Sequence, residues 1–181
     1  MTNKEFIQKL LNTLNYKTVY MWGTFGSPVT KKIIEEKAKQ YPSWYTDAMK
    51  EFLYKLIDQN YFAFDCVGLI KGILWGWNGD PTKAHGGARY NSNGVPDLSA
   101  DKLIERCNPT TDFTKIVPGA IVWLRGHVGT YIGDGRVIEC TPAWKNGVQI
   151  TICLNVYPDN RLDKARLWVK HGKLPYVKYK E

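Results

Sequence analysis

The chain has 181 residues with 25 Lys and Arg against 17 Asp and Glu, a net charge of +8. That length suits one compact domain with a sizeable core, and no repeat, low-complexity run or polar linker marks a boundary, so residues 1–181 are expected to form a single domain. No apolar run approaches the roughly 20 residues of a membrane span, which excludes membrane insertion by such a helix.

Met1 to Tyr16 carries Phe6, Leu10, Leu11 and Leu14 at helical spacing, the pattern of an amphipathic surface helix rather than of a signal peptide. The chain is therefore expected to be made in the cytoplasm and to reach any outside target by a separate route. After Tyr20-Met21-Trp22-Gly23, two helical stretches are predicted, Thr30 to Gln40 and Thr46 to Asp58, parted by Tyr41-Pro42-Ser43-Trp44-Tyr45. Asp65 is a good N-cap for a helix that opens on Cys66 and runs through Val67-Gly68-Leu69-Ile70-Lys71-Gly72-Ile73-Leu74. A glycine-rich irregular stretch follows to Val95, then a short helix over Ser99 to Arg106. Strands are predicted at 120–124, 128–132, 136–140 and 148–152, with a further one at 166–169. The turns Pro118-Gly119, Arg125-Gly126 and Gly133-Asp134-Gly135 punctuate them. Helices first and antiparallel strands later define an α+β fold.

Chemistry concentrates at three positions. A cysteine at a helix N-terminus meets the positive end of the dipole, which favours thiolate and lowers its pKa from about 8.5 toward neutrality. The competing reading is a small buried residue. His127 begins one strand of a hairpin, and Glu139 lies an even offset away on the strand paired with it, so both side chains can share a face. A thiol, an imidazole and a carboxylate meeting where the helix packs on the sheet have the logic of a cysteine hydrolase. Cys140 and Cys153 read as small buried residues, and Cys107 has no partner at metal-ligand spacing. His85, in a glycine-rich loop, and His171, in the basic tail, read as solvated. No metal and no cofactor is expected.

Asp-Cys-x-Gly-Leu at the helix head, Pro-Gly-x-x-Val, and His-Val-Gly-x-Tyr-Ile-Gly-x-Gly resemble the NlpC-type cysteine peptidases of bacterial cell walls, and Tyr20-Met21-Trp22-Gly23-Thr24 matches a further segment of that family. The matches run from Tyr20 to about Thr141. The resemblance implies a papain-like fold, with the nucleophile helix on a small antiparallel sheet or barrel. It implies Cys66 as nucleophile, His127 as base and Glu139 as the third polar group. Tyr20, Trp22 and Asp65 then lie on the substrate side, with Tyr20 beside the thiol and helping to fix the substrate carbonyl. The implied activity is hydrolysis of an amide in the peptidoglycan stem peptide. A muramoyl-alanine amidase, another acyl transfer, or a non-catalytic wall-binding module on the same scaffold are the alternatives. A phage or prophage lysin is one context that fits.

The sequence departs from the family pattern in Val67 where Ser is common after the nucleophile, in Ala120 where Asp often follows Pro-Gly, and in Glu139 where His, Asn or Gln is usual. Residues 24–63 form an insertion that either walls the cleft or covers apolar surface. The basic charge attracts polyanions; the absence of a nucleic-acid recognition motif leaves a Gram-positive wall, or plain solubility, as its purpose.

Overall fold

The computed structural model describes residues 1–159 and 161–180. Fourteen of its segments matter to the site. Helix α1 (Asn3–Asn12) is opened by a capping box between Thr2 and Glu5 and buries Phe6 and Leu10. Strands β1 (Lys17–Tyr20) and β2 (Phe25–Pro28) follow, then α2 (Lys31–Gln40), α3 (Asp47–Tyr54), β3 (Tyr61–Phe64) and α4 (Cys66–Leu74). After the irregular stretch come α5 (Ala100–Glu105), β4 (Ile121–Leu124), β5 (His127–Gly133), β6 (Arg136–Thr141), β7 (Gly147–Cys153), β8 (Ala165–Arg166) and β9 (Lys170–Gly172).

Two sheets result. The larger runs β8-β7-β6-β5-β4-β9 and is antiparallel except for the β7–β8 pair. The smaller, in the order β1-β3-β2, pairs β1 with β3 in parallel and β2 with β3 antiparallel. The α+β class and the placement of the Cys66 helix against the antiparallel sheet are as expected. Apart from Lys71, the side chains of α4 are buried, and Leu69, Ile70 and Ile73 join Ile121, Val128 and Ile138 of the sheet in one core. This accounts for the apolar run without an exposed stripe: the helix is enclosed on all sides.

The small sheet is a correction to the sequence reading, which saw only helices before Trp75. The two predicted helices form, the second ending at Tyr54 rather than Asp58, but strands bound them. Val19, Met21 and Ala63 of β1, β3 and the turn between lie under Ile33, Ile34 and Leu53 of α2 and α3. The strand predicted at 166–169 is split instead, since Asn155 binds both Trp168 N–H and Trp168 C=O through its side chain and draws that segment out of the ladder. Among the described residues, no helix is long and apolar enough to cross a membrane.

Candidate active site

Strand β3 delivers the chain directly to the N-cap of α4. Asp65 Oδ1 accepts from Gly68 N–H at 2.5 Å, and Oδ2 accepts from Gly23 N–H at 2.8 Å. One carboxylate thus caps the helix and ties it to the Tyr20–Gly23 segment. Asp65 lines the cleft, but both its oxygens are engaged by backbone, so the work visible in the structure is support. Gly68 is required by close approach: a Cβ there would lie 1.9 Å from the Thr24 carbonyl oxygen.

Cys66 is 6% exposed, and its sulfur lies 3.9 Å from the carbonyl oxygen of Gly126, in the turn before His127. Burial pushes the Cys66 thiol up, and the Asp65 charge adds to it; backbone N–H groups of Val128, Val67 and Cys66 oppose them, and the balance is about 12. The expected lowering by the helix terminus is therefore overturned. Desolvation of a sulfur anion outweighs a partial charge that acts within one turn. The resting thiol is held in its protonated form.

His127 opens β5. Its turn is fixed by Asp101 Oδ1, which accepts from Gly126 N–H at 2.9 Å and from Trp123 Nε1–H at 2.8 Å. His127 Nε2 lies 2.5 Å from Glu139 Oε2, and the imidazole stacks on Trp168 at 5.7 Å between centroids and 13° between planes. The β5–β6 register pairs Thr130 with Ile138 and Tyr131 with Val137, which brings Glu139 beside Gly129 rather than directly across from His127. The two side chains meet on the diagonal of one face. Gly129 has no side chain to block the way; a Cβ there would be 2.6 Å from Val137 Cγ1 and 3.3 Å from Glu139 Cβ.

Glu139 is fully buried. Its Oε1 accepts from Thr151 Oγ1–H at 2.6 Å, and Arg166 Nε–H lies 3.1 Å and 2.9 Å from its two oxygens. Burial alone would raise the Glu139 carboxyl; the His127 hydrogen bond, the His127 and Arg166 charges and Thr151 together hold it below the usual carboxylate range. Arg166, Thr151, Trp168 and Asp101 were not singled out from the sequence. One signal was present: a carboxylate on a buried strand face needs a cation or several donors. Nothing in the spacing says which residue supplies them.

A cleft of about 740 Å³ opens over Cys66. Tyr20, Trp22, Glu36, Lys37, Tyr41, His85 and Asp101 are among the residues that line it, with Tyr20 close to Cys66 and His85 close to Glu36 and Lys37. The phenol of Tyr20 is raised by burial and by its proximity to Cys66 and Asp65 and stays a neutral donor. On α2, Ile34 packs with the core beside the small sheet, Glu36 and Lys37 line the cleft, and Ile33 takes part in both. His127 and Glu139 are not among the lining residues.

The other two histidines are not solvated. His85 is half-buried, with Nδ1 2.9 Å from Ser27 Oγ and its ring 4.3 Å from that of Phe25, and burial with the nearby Lys37 charge lowers its pKa. His171 is buried on β9, with Nε2 3.0 Å from the Asp112 carbonyl oxygen. Packing of Phe25 on His85 and of Phe113 on His171, invisible in local sequence, encloses them. Among the described residues, no group of three His, Cys, Asp or Glu is placed to hold a metal ion.

All four cysteines are free and buried. Burial raises the thiols of Cys66 and Cys107 to about 12 and lifts that of Cys140 well above its ordinary value. The sign for stability is fixed: above about pH 9 the unfolded chain loses these protons first, so the folded state holds more protons and stability falls as pH rises. Cys66 and Cys107 each contribute a slope of about 1.4 kcal/mol per pH unit between about pH 9 and 12. Thermal unfolding followed from pH 8 to 11 is expected to show a falling midpoint, with a shallower fall in Cys107→Ala. A slope unaltered by that substitution would remove Cys107 from the account.

No family model matches the chain, and no curated protein matches it. Among solved structures, the chain is similar to NlpC1 from Trichomonas vaginalis, with a TM-score of 0.48 and 15% identity over 94% of this chain and 44% of that one. It is likewise similar to NlpC2 from the same organism, with a TM-score of 0.47 and 16% identity over 93% of this chain and 46% of that one. The chain spans less than half the length of either.

Proposed function

We propose that this chain is a cysteine hydrolase that cuts an amide bond of the peptidoglycan stem peptide. The observation that carries the reading is a buried thiol on a cleft, its sulfur 3.9 Å from the carbonyl oxygen of Gly126, the residue before a histidine whose Nε2 is taken by a buried carboxylate. The wall-peptide substrate comes from the motif resemblance around Cys66 and His127.

With Nε2 committed to Glu139, Nδ1 of His127 is the nitrogen that takes the proton of the Cys66 thiol. The sulfur attacks the amide carbon, and the carbonyl oxygen becomes an oxyanion. The Cys66 N–H, which has no partner within the helix, and the Tyr20 hydroxyl receive that charge. The imidazolium gives its proton to the leaving nitrogen, the C–N bond breaks, and a thioester on Cys66 remains. Water, deprotonated by His127, attacks the thioester; the carboxylate product leaves and the thiol is restored. Stability of the resting thiol makes His127 obligatory, since the free thiolate is scarce at neutral pH.

Mass spectrometry of wall fragments after digestion tests the reading. A new amine and a new carboxylate within the stem peptide are expected, while release of intact stem peptide from the sugar would make the enzyme a muramoyl-alanine amidase. Fragments unchanged by the wild type, or changed equally by Cys66→Ala, would overturn hydrolysis and favour the binding-module alternative.

The excess of basic residues (+8) serves attachment to an anionic, Gram-positive wall in this reading. Screening length shrinks from about 10 Å at 0.1 M salt to about 3 Å at 1 M. Binding of Cys66→Ala protein to such walls is expected to fall steeply over that range, and again when teichoic acids are stripped. Pull-down across a salt series measures it; binding indifferent to salt would assign recognition to the cleft alone.

A further inference from the structure

We propose that Arg166 is a positioning residue of this site: its guanidinium shares the charge of Glu139, so that the carboxylate orients His127 without retaining its proton. The proposal rests on the reading of Cys66 and His127 as nucleophile and base.

Strand β8 has only two residues, and its parallel register sets Arg166 beside Cys153 at the sheet edge. From there the side chain crosses β7 to reach Glu139 on β6. Nε–H lies 2.9 Å from Oε2, the same oxygen that holds His127, and 3.1 Å from Oε1. Nη2–H donates to Thr141 Oγ1 at 3.0 Å, and the guanidinium stacks 4.7 Å from the ring centroid of Trp144. Two contacts thus hold the cation in place while a third residue, Thr151, fills the remaining lone pair of Oε1.

The reason for such a cation lies in what the base must do. In each turnover His127 takes a proton twice and returns it twice. A fully buried carboxylate with no other cation beside it would hold that proton strongly, because an opposite charge within about 4–6 Å shifts a proton equilibrium by about one to three pH units. Glu139 stands where a neutral His, Asn or Gln is usual in the family the motifs resemble. Paired with Arg166, the carboxylate approaches the behaviour of such a neutral acceptor.

The other charges nearby do not substitute for it. Cys66 faces from α4 with Asp65 behind it, and Asp101 of α5 reaches the Gly126 turn with Arg125 and Lys170 near it. Thr151 of β7 is uncharged. Among the described residues, Arg166 is the permanent cation in contact with Glu139, and His127 becomes a second when it takes a proton.

The test is a proton NMR titration of the imidazole signals, simple to assign with three histidines in the chain. In Arg166→Gln, the proton shared by His127 and Glu139 is expected to leave at a pH higher by about one unit, a tenfold change in affinity. Arg166→Lys, which keeps the charge, should restore most of the wild-type midpoint, and the His85 and His171 signals should not move. If Arg166→Gln fails to fold, Trp144→Ala replaces it: that ring is 47% exposed, and its loss lets water screen the guanidinium, giving a smaller shift in the same direction. An unmoved or lowered His127 transition in a folded variant overturns the proposal, as does a shift in Arg166→Lys equal to that in Arg166→Gln. Because the titration needs no substrate, failure of wall digestion with a shifted transition would count against the hydrolase reading alone.

Discussion

Cys66→Ala is expected to lower turnover of wall fragments by at least about 10⁴-fold while leaving the fold intact. The thiol is neutral and buried, so its loss removes one small apolar contact and no charge. Cys66→Ser should be as inactive, because a hydroxyl is a far weaker acid than a thiol and the same burial raises it too. Fragment release at equal folded concentration, with near-ultraviolet circular dichroism as the folding control, measures the effect. Activity of Cys66→Ala above about one hundredth of wild type would end the assignment. Alkylation by iodoacetamide adds a second readout. A thiolate made by the helix terminus alone would alkylate equally in wild type and His127→Ala. A buried thiol near 12 that depends on His127 should alkylate more slowly in His127→Ala, and more slowly at pH 7 than at pH 9 in both.

What the sequence revealed, and what it hid, follows from the range of the interactions involved. The helix on Cys66 was legible because its signals lie within four residues: an Asp cap, an apolar run and a glycine at the close approach. The His127–Glu139 pair was legible because the tight turn at Asp134-Gly135 fixes a hairpin, and an even offset keeps both side chains on one face. The small sheet was not. Its strands are four residues each, β1 and β3 lie some 40 residues apart, and Phe25-Gly26-Ser27-Pro28 contains two residues that argue against a strand. The thiol's high pKa and the enclosure of His85 and His171 depend on how much protein surrounds them, which no local pattern records. Arg166 belongs with these. Its place beside Glu139 depends on the pairing of β8 with the edge of β7, distant from Glu139 in the chain.

His127→Ala and Glu139→Gln should separate chemistry from stability, because the two losses rank in opposite order. Without the imidazole nothing accepts the thiol proton, and turnover is expected to fall about 10⁴-fold. The structural loss is small: one hydrogen bond and the stacking on Trp168, about 1–2 kcal/mol together. Glu139→Gln keeps an acceptor oxygen for Nε2–H and so keeps the ring oriented, and turnover should fall only about 10²-fold or less. Its stability loss is the larger one. Arg166 is left partly buried with its charge unmatched, and breaking such a pair from one side costs about 3–5 kcal/mol, toward the lower figure here because the guanidinium side retains some exposure. The acid limb adds a sign. A carboxyl held below its ordinary value stabilises the fold above the unfolded pKa, and that contribution disappears as pH falls through the folded one. Wild type should therefore lose its advantage over Glu139→Gln on acidification below about pH 4. Urea unfolding at pH 7 and pH 3, set beside steady-state hydrolysis, measures both rankings. Equal inactivity of the two variants would give the carboxylate a direct part in proton transfer. Equal stability at pH 7 would mean that Arg166 finds another partner when Glu139 is gone.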